Sequence, residues 1–336
     1  MRPIKRYIDN RLMDDYINWQ PTLLRELGPF CSFCETPLKN KADIEHKISQ
    51  SLTKALKEKI TNLVLACINC NSVKGTRVKI DNFESFVWPD GYVPPQSNTI
   101  PQNSYANKHS LFIYYMKKQY DVKDYDLTHC PVLPEEGGQL TVNQRINNYH
   151  KKIIDNLPKN DQGQPNLENI WAIPFPYRQQ GDGFILRPQM KTIATNTIVL
   201  CGLNYADSET RLLLQRRNRV WDVANGAARI YKTVPDNLKD IFKGQIRLLA
   251  ASSGFWSIWM TVFYVLWKFS WQDVFSLFVK LAETGGGDVP AYNNWNKGYE
   301  IVPGTDIRRV QLDEKAWEHL RINLDTIHPG VVPPVP

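Results

Sequence analysis

The chain has 336 residues and a mass of 38.9 kDa, with 42% apolar and 22% charged residues. These proportions exclude an intrinsically disordered or fibrous protein and are typical of a globular chain with one large domain or two modest ones. Forty-one Lys and Arg against 34 Asp and Glu leave a net charge of +7, which favours encounters with polyanions without requiring them.

The N-terminal segment lacks the continuous apolar run of a secretory signal peptide. We therefore expect a cytoplasmic protein in a reducing compartment, where six cysteines favour metal binding over disulfides. Apolar residues at helical spacing between residues 7 and 27, interrupted by Pro21, predict two short helices.

Four cysteines form two Cys-x-x-Cys pairs, and a run of 32 residues separates the pairs. The pairs are Cys31 with Cys34 and Cys67 with Cys70. A two-residue gap lets a tight turn direct both thiolates at one ion, so the double pair predicts one structural Zn2+ site with four sulfur ligands. Cys130 and Cys201 stand alone and are interpreted as packing residues.

The segment between the cysteine pairs predicts two strands and a following helix. Residues 43–46 read Asp-Ile-Glu-His, the short apolar run 63–67 predicts the second strand, and Asn71 is expected to open a helix. The lysine-rich stretch 51–59 predicts a basic helix between the strands. An acidic residue beside a histidine on one strand, and an asparagine at the start of the next helix, can face a single divalent ion.

Residues 29–77 resemble the HNH endonucleases of the ββα-metal type. The order is Cys-x-x-Cys, then Glu-His, then Asn-Leu-x-x-x-Cys-x-x-Cys-Asn-x-x-Lys-Gly. The resemblance implies DNA phosphodiester hydrolysis, with His46 as the general base, Glu45 and Asn71 as ligands of the catalytic metal, and Asn62 as the residue that fixes the loop and orients His46. Histidine suits that role because its unperturbed pKa is near 6.5.

The chain departs from the commonest pattern of that family at two positions. Glu45 stands where Asp is more frequent, and Asn71 stands where His is common. Oxygen ligands favour Mg2+ or Mn2+ as the catalytic ion. Asp43 shares the face of Glu45 in a strand and could replace it as the ligand.

Three basic residues near the motif are candidate nucleic-acid contacts: Lys54, Lys74 and Arg77. For Lys54, as for Lys57 and Lys59 in the same stretch, a solvated face is an equally good interpretation.

The rest of the chain is predicted to be mostly helical with long loops. Loops are expected near residues 89–101 and over residues 158–188, and helices over residues 107–122, 141–157 and 312–324. Residues 192–219, with the Trp-Pro-Asp that begins at Trp88, resemble the stand-alone HNH nucleases of bacterial anti-phage systems, such as the nuclease subunit of Septu. That resemblance implies an ATPase partner. Arginines 216, 217 and 219 lie at the end of this segment. Either a DNA-binding face or a solvated or partner-binding helix face explains them.

Residues 248–267 form a run of 20 residues without formal charge. Its length is that of a membrane span, but polar residues recur on one side, and residues 252–254 are expected to precede a new helix at Phe255. We interpret the run as a core or subunit-interface helix, which would allow a homo-oligomer, and keep a membrane-acting effector as the alternative.

Together these observations predict an α+β protein with a zinc-stapled ββα-metal core in a mostly helical chain. We expect an N-terminal unit over residues 1–90, a loop-rich helical connector over residues 91–170 and a helical C-terminal region over residues 171–336. The predicted function is a metal-dependent DNA endonuclease of a bacterial anti-phage system. The alternatives are a catalytically silent nucleic-acid-binding scaffold and the membrane-acting effector.

Overall fold

The computed structural model describes residues 15–38, 42–52, 54–88, 113–133, 139–174, 188–205 and 212–278. Helices predominate in these ranges and accompany two antiparallel sheets of two strands each. This mixture of helices and small sheets agrees with the predicted fold class. The predicted helix at 312–324 and the predicted loop at 89–101 lie outside the described residues.

The first sheet and its flanking helices form the N-terminal part. A 3-10 turn at Tyr16–Trp19 leads into helix α1 (Gln20–Leu27), strand β1 (Asp43–His46) pairs with strand β2 (Leu63–Ala66), and helix α2 (Ile68–Lys74) follows. The two short helical pieces near Pro21 and the second strand agree with the sequence-based predictions.

Two local predictions in this part are wrong. Helix α2 begins at Ile68 rather than at Asn71, because the Cys67 sulfur caps the helix by accepting from the Cys70 backbone N–H. The basic stretch 51–59 contains only a 3-10 turn at Lys54–Leu56 within the part that the structure describes. Carbonyls of this stretch bond to side chains at the hairpin, so they are not used in a regular helix.

The second sheet joins strand β3 (Ile113–Gln119) to strand β4 (Glu168–Pro174), with Tyr115 opposite Ala172. Helix α3 (Val142–Asp155) lies between them in the chain and begins with a capping box of Thr141 and Gln144. Helix α3 confirms the predicted helix at 141–157, whereas β3 overturns the predicted helix at 107–122 for its described part. Strand β4 likewise replaces part of the predicted loop at 158–188.

The described residues of the C-terminal part contain five α-helices: α4 (Pro188–Leu200), α5 (Leu213–Thr233), α6 (Lys239–Ser253), α7 (Trp256–Met260) and α8 (Trp271–Phe278), with a π-helical turn at Thr261–Leu266 after α7. Gly254 and Phe255 both have positive φ and separate α6 from α7, so the predicted helix start near Phe255 is confirmed within one residue. The run 248–267 is thus two helical pieces, and its Trp256-to-Leu266 portion lies in the core. In the described ranges, no helix has both the length and the apolar character needed to cross a membrane.

Hydrogen bonds connect the N-terminal part to the helices that follow. The Val87 N–H donates to Thr197 Oγ1 at 2.7 Å, and Asn196 Nδ2 donates to the Ser85 carbonyl at 3.1 Å. The predicted boundary between residues 170 and 171 falls inside β4. The division into three units stays a prediction, but these contacts place α4 directly against the N-terminal part.

Candidate active site

The four paired cysteines converge at one point between the β1–β2 hairpin and the loop before it. Their sulfur atoms all lie within 4.8 Å of one another, and Cys34 Sγ is 3.7 Å from Cys67 Sγ. Four sulfurs around Zn2+ with bonds of about 2.3 Å would be about 3.8 Å apart in a tetrahedron, so the cluster fits this ion. All four are free thiols, and no other cluster of three or more His, Cys, Asp or Glu ligands occurs in the described residues.

The cluster is arranged to stabilise thiolates unevenly. A hydrogen bond from Cys31 holds the pKa of Cys34 well below its usual range, whereas burial raises the pKa of Cys31. The Cys34 N–H also points at Cys31 Sγ at 3.5 Å, as the Cys70 N–H does at Cys67 Sγ at 3.4 Å. A divalent cation would bind all four ionised sulfurs and offset half of their negative charge, which explains why so polar a cluster lies in the core.

His46 ends strand β1 and is buried beside the hairpin. Its Nε2 lies 3.0 Å from the Lys57 carbonyl oxygen, and the Tyr16 ring packs edge-on against the imidazole with centroids 4.8 Å apart. A carbonyl oxygen only accepts, so Nε2 carries the proton and Nδ1 of the neutral ring is left as a proton acceptor. Burial lowers the pKa of His46, which keeps the ring neutral near pH 7.

Asn62 holds together the loop that connects the two strands. Its Oδ1 accepts from the Ile48 N–H at 2.9 Å, and its Nδ2 donates to the carbonyls of Ile48 at 3.0 Å and Leu56 at 3.2 Å. The side chain is fully buried, and its three bonds satisfy backbone groups that would otherwise be buried without partners. Asn62 therefore fixes the position of the Lys57 carbonyl, one residue after Leu56, to which His46 is bonded.

Glu45 precedes His46 on strand β1 and forms an ion pair with Lys74 from helix α2. The Lys74 Nζ is 2.6 Å from Glu45 Oε1 and 3.1 Å from the Gly75 carbonyl oxygen. The Lys74 side chain has no exposed surface, and the Glu45 side chain retains 10%. Burial raises the pKa of Glu45, and the adjacent ammonium of Lys74 opposes this rise without cancelling it.

Asn71 lies one helical turn before Lys74 on α2. Residues three apart are neighbours on a helix surface, with Cβ atoms about 5–6 Å apart. Lys74 reaches Glu45, so the Asn71 side chain is on the helix face that meets strand β1. That side chain is half-buried and makes no hydrogen bond with any described residue. Asp43, the alternative ligand, is half-buried opposite Ala66.

The candidate nucleic-acid contacts differ in their exposure. Lys54 and Arg77 are exposed, whereas Lys74 is buried on Glu45 and does not face solvent. Of the arginines on α5, Arg216 and Arg219 are exposed, but Arg217 is fully buried with its guanidinium 4.5 Å from the Tyr115 ring centroid. Arg217 is therefore a core residue and not part of a DNA-binding face.

Sequence reasoning missed two contacts of the site. The first is the Tyr16 ring, which lies between His46 and the Lys57 ammonium, 5.5 Å from its centroid. The second is Glu35, whose carboxylate accepts from the Ser257 N–H at 2.9 Å and the Ser257 hydroxyl at 2.6 Å. Glu35 and Ser257 are 222 positions apart, and nothing in their local sequence signals the contact.

Residues 31–77 match the family described as "HNH endonuclease", and this stretch includes all four cysteines, the hairpin and helix α2. No curated protein and no solved structure matches the chain.

Proposed function

We propose that this protein is a metal-dependent endonuclease that hydrolyses DNA phosphodiester bonds with His46 as the general base. One observation carries the proposal. The Lys57 carbonyl accepts a hydrogen bond from Nε2–H of the buried His46, and this leaves Nδ1 as a base at the edge of a hairpin whose sequence matches a nuclease family.

The protein's own groups account for the proton transfer. The Nδ1 atom of His46 accepts the proton of the attacking water, and Nε2 keeps its bond to the Lys57 carbonyl as the ring becomes charged. That carbonyl stabilises the imidazolium, much as an orienting acceptor does in other histidine-dependent hydrolases. Asn62 prevents the carbonyl from moving away by bonding the neighbouring Leu56 carbonyl.

Glu45 and Asn71 would hold the catalytic Mg2+ or Mn2+. Both present oxygen ligands, which suit hard divalent cations. When bound, the ion supplies charge stabilisation to the phosphorane and to the departing 3′ oxygen. The four cysteines would hold a separate Zn2+ with a structural role, because four sulfur ligands leave no open position for substrate.

The substrate would be bound by the exposed basic residues near the site. The exposure of Lys54 and Arg77 leaves their side chains accessible to phosphates, and the net charge of +7 favours a polyanion. We extend the proposal to a cytoplasmic effector of a bacterial anti-phage system with an ATPase partner, and to a homo-oligomer. This extension rests on the resemblance of residues 192–219 and on the exposed face of α5.

Cleavage of supercoiled plasmid and of linear DNA with added Mg2+ or Mn2+ tests the proposal. The wild-type chain is compared with His46→Ala, and His129→Ala, which changes an exposed histidine, is the matched control. Each protein is first shown to carry about one zinc ion, as a four-thiolate site requires. We expect His46→Ala to lose at least about 100-fold in rate, the usual contribution of a general base, and His129→Ala to keep full activity.

Equal cleavage by wild type and His46→Ala would contradict the assignment of the base. DNA binding without cleavage in either metal, with and without the product of the neighbouring gene, would favour the silent scaffold. The membrane-acting alternative is not favoured, because Trp256 and Trp259 of the run 248–267 are buried in the core.

A further inference from the structure

Lys74 occupies an unusual position for a lysine beside a candidate metal ligand. Its side chain is completely buried, and its ammonium is 2.6 Å from Glu45 Oε1. A buried ammonium is costly unless it is paired, and its described polar contacts are Glu45 and the Gly75 carbonyl. Lys74 therefore depends on the Glu45 carboxylate for its place in the fold.

The same carboxylate oxygen cannot serve an ammonium and a divalent cation equally well. Two positive charges about 4 Å apart repel each other strongly where water is excluded, and the Glu45 side chain is only 10% exposed. A cation that binds Glu45 must therefore weaken or displace the Lys74 contact. The remaining exposed surface of Glu45 gives the ion access to the carboxylate.

Lys74 lies at the end of helix α2, next to exposed residues toward which a displaced ammonium can move. Lys74 is the last residue of the helix, and Gly75 follows with a φ of +51°. The Lys74 side chain has no exposed surface, but Gly75, Thr76 and Arg77 are all exposed, so solvent begins at the residue after Lys74. Arg77, three residues on, is a candidate phosphate contact at the same edge.

We propose that Lys74 is a built-in counter-ion that a divalent cation displaces from Glu45, and that the released ammonium then binds a phosphate of the nucleic acid. The inference rests on the proposed function, because it assumes that Glu45 is a ligand of the catalytic metal. It makes metal binding and nucleic-acid binding favour each other, by the reciprocity of linked equilibria.

Mn2+ binding to the zinc-loaded full chain tests the first half, with free Mn2+ measured by electron paramagnetic resonance. The variants are Lys74→Met, Lys74→Arg and Glu45→Gln. We expect Lys74→Met to bind Mn2+ about tenfold more tightly than wild type, at the lower end of the effect of one adjacent opposite charge on a carboxylate. Lys74→Arg keeps the positive charge and should bind as wild type does, and Glu45→Gln should bind far more weakly.

A second measurement does not depend on the folding of any variant. The wild-type chain is treated with an amine-reactive ester, and mass spectrometry measures the acylation of each lysine. We expect Lys74 to be protected from acylation without Mg2+ and to react in its presence. Lys57, which is half-exposed, is the internal control and should react equally in both conditions. Unchanged protection of Lys74 at saturating Mg2+ would overturn the inference.

DNA binding in a His46→Ala background tests the second half by fluorescence anisotropy without cleavage. Mg2+ should tighten DNA binding about tenfold with Lys74 present and have a much smaller effect with Lys74→Met, within the usual range of coupling between two sites. An equal effect of Mg2+ on both proteins would overturn the coupling.

Two failures remain distinguishable. Mn2+ binding that depends on Glu45 but is not tightened by Lys74→Met would overturn the inference and leave the proposed function standing. Mn2+ binding that is unaffected by Glu45→Gln would remove Glu45 from the metal site and overturn this inference, whereas loss of cleavage in His46→Ala would still support the proposed function.

Discussion

The zinc-hairpin region, residues 31–77, and the helical region, residues 188–278, are stabilised in different ways. In the first, charged and polar side chains are buried and paired, as Glu45 is with Lys74 and as Asn62 is with the backbone. In the second, most of the largest buried side chains are aromatic, as at Trp256, Trp259 and Tyr264, and Arg217 is the charged exception. The site is thus held by specific polar contacts, where one lost partner is costly, on a scaffold that depends mostly on apolar area.

Removal of a cysteine from the four-cysteine cluster is the strongest way to disrupt the first region. Cys70→Ser should abolish stoichiometric zinc and unfold the hairpin, because an ion bound by four thiolates contributes about 10 kcal/mol or more in small zinc domains. Zinc content by atomic absorption and thermal unfolding measure the effect. Cys130→Ser, outside the cluster, is the control and should keep about one zinc ion. A Cys70→Ser protein with wild-type zinc content would refute the four-cysteine site.

Truncation of a core tryptophan tests the second region. Trp259→Ala should lower the free energy of unfolding by about 3–5 kcal/mol, because it leaves a large cavity among buried apolar side chains. Denaturant unfolding gives the loss, and the folded variant should still carry its zinc. Leu248→Ala, at a side chain that is 68% exposed, should change the stability by less than about 0.5 kcal/mol. A similar loss for both variants would argue against the aromatic core.

The loop bonds of Asn62 allow a more selective change. Asn62→Ala leaves one N–H and two carbonyls of the loop without their partner, so we expect a loss of about 2–3 kcal/mol in stability. Nuclease activity should fall further than the folded fraction does, since the Lys57 carbonyl would no longer orient His46. Asn82→Ala is the control, because Asn82 makes similar bonds to Lys79 and Arg77 in an exposed turn. Comparable losses in the two variants would contradict this role.

His150 gives the smallest expected effect, and it depends on pH. The Tyr120 hydroxyl lies 2.6 Å from His150 Nδ1, and burial lowers the pKa of His150. The unfolded chain therefore takes up a proton before the folded chain does, and stability should fall as the pH drops through about 6.5. The difference in unfolding free energy between wild type and His150→Gln, measured from pH 8 to pH 5.5, should shrink toward low pH.

The zinc-hairpin region could largely be predicted from sequence because its signals are local. Three short motifs each indicate a local structure within a few residues: the two cysteine pairs, the Glu-His dipeptide and the apolar run after Asn62. The pairing of β3 with β4 is not local. Residues 113–116 of β3 are all buried, and their sequence is correspondingly a continuous run without polar–apolar alternation. The periodicity of such a run does not distinguish a helix from a strand.

Other features depend on partners that are distant in the chain. The lysine-rich stretch 51–59 looked helical, but its carbonyls are used by His46 and Asn62. The sequence predicted Arg217 on an exposed helix face, but in the structure its guanidinium packs on the Tyr115 ring. The burial of Lys74 likewise depends on its ion pair with Glu45 on strand β1. The spacing of residues within helix α2 does not predict that contact.

The bonds between Glu35 and Ser257 also set an order of assembly during synthesis. The loop with the first two zinc ligands leaves the ribosome more than 200 residues before Ser257, given the separation of 222 positions. A Cβ at Gly254 would lie 2.6 Å from the Glu35 carbonyl oxygen, so the chain reversal at Gly254 fits against this loop only with glycine. All four clustered cysteines are therefore synthesised early, but the loop that carries Cys31 and Cys34 contacts Ser257 only once α7 has been made. An N-terminal fragment that ends before Gly254 would bear the nuclease motif with the Glu35 carboxylate deprived of its Ser257 donors.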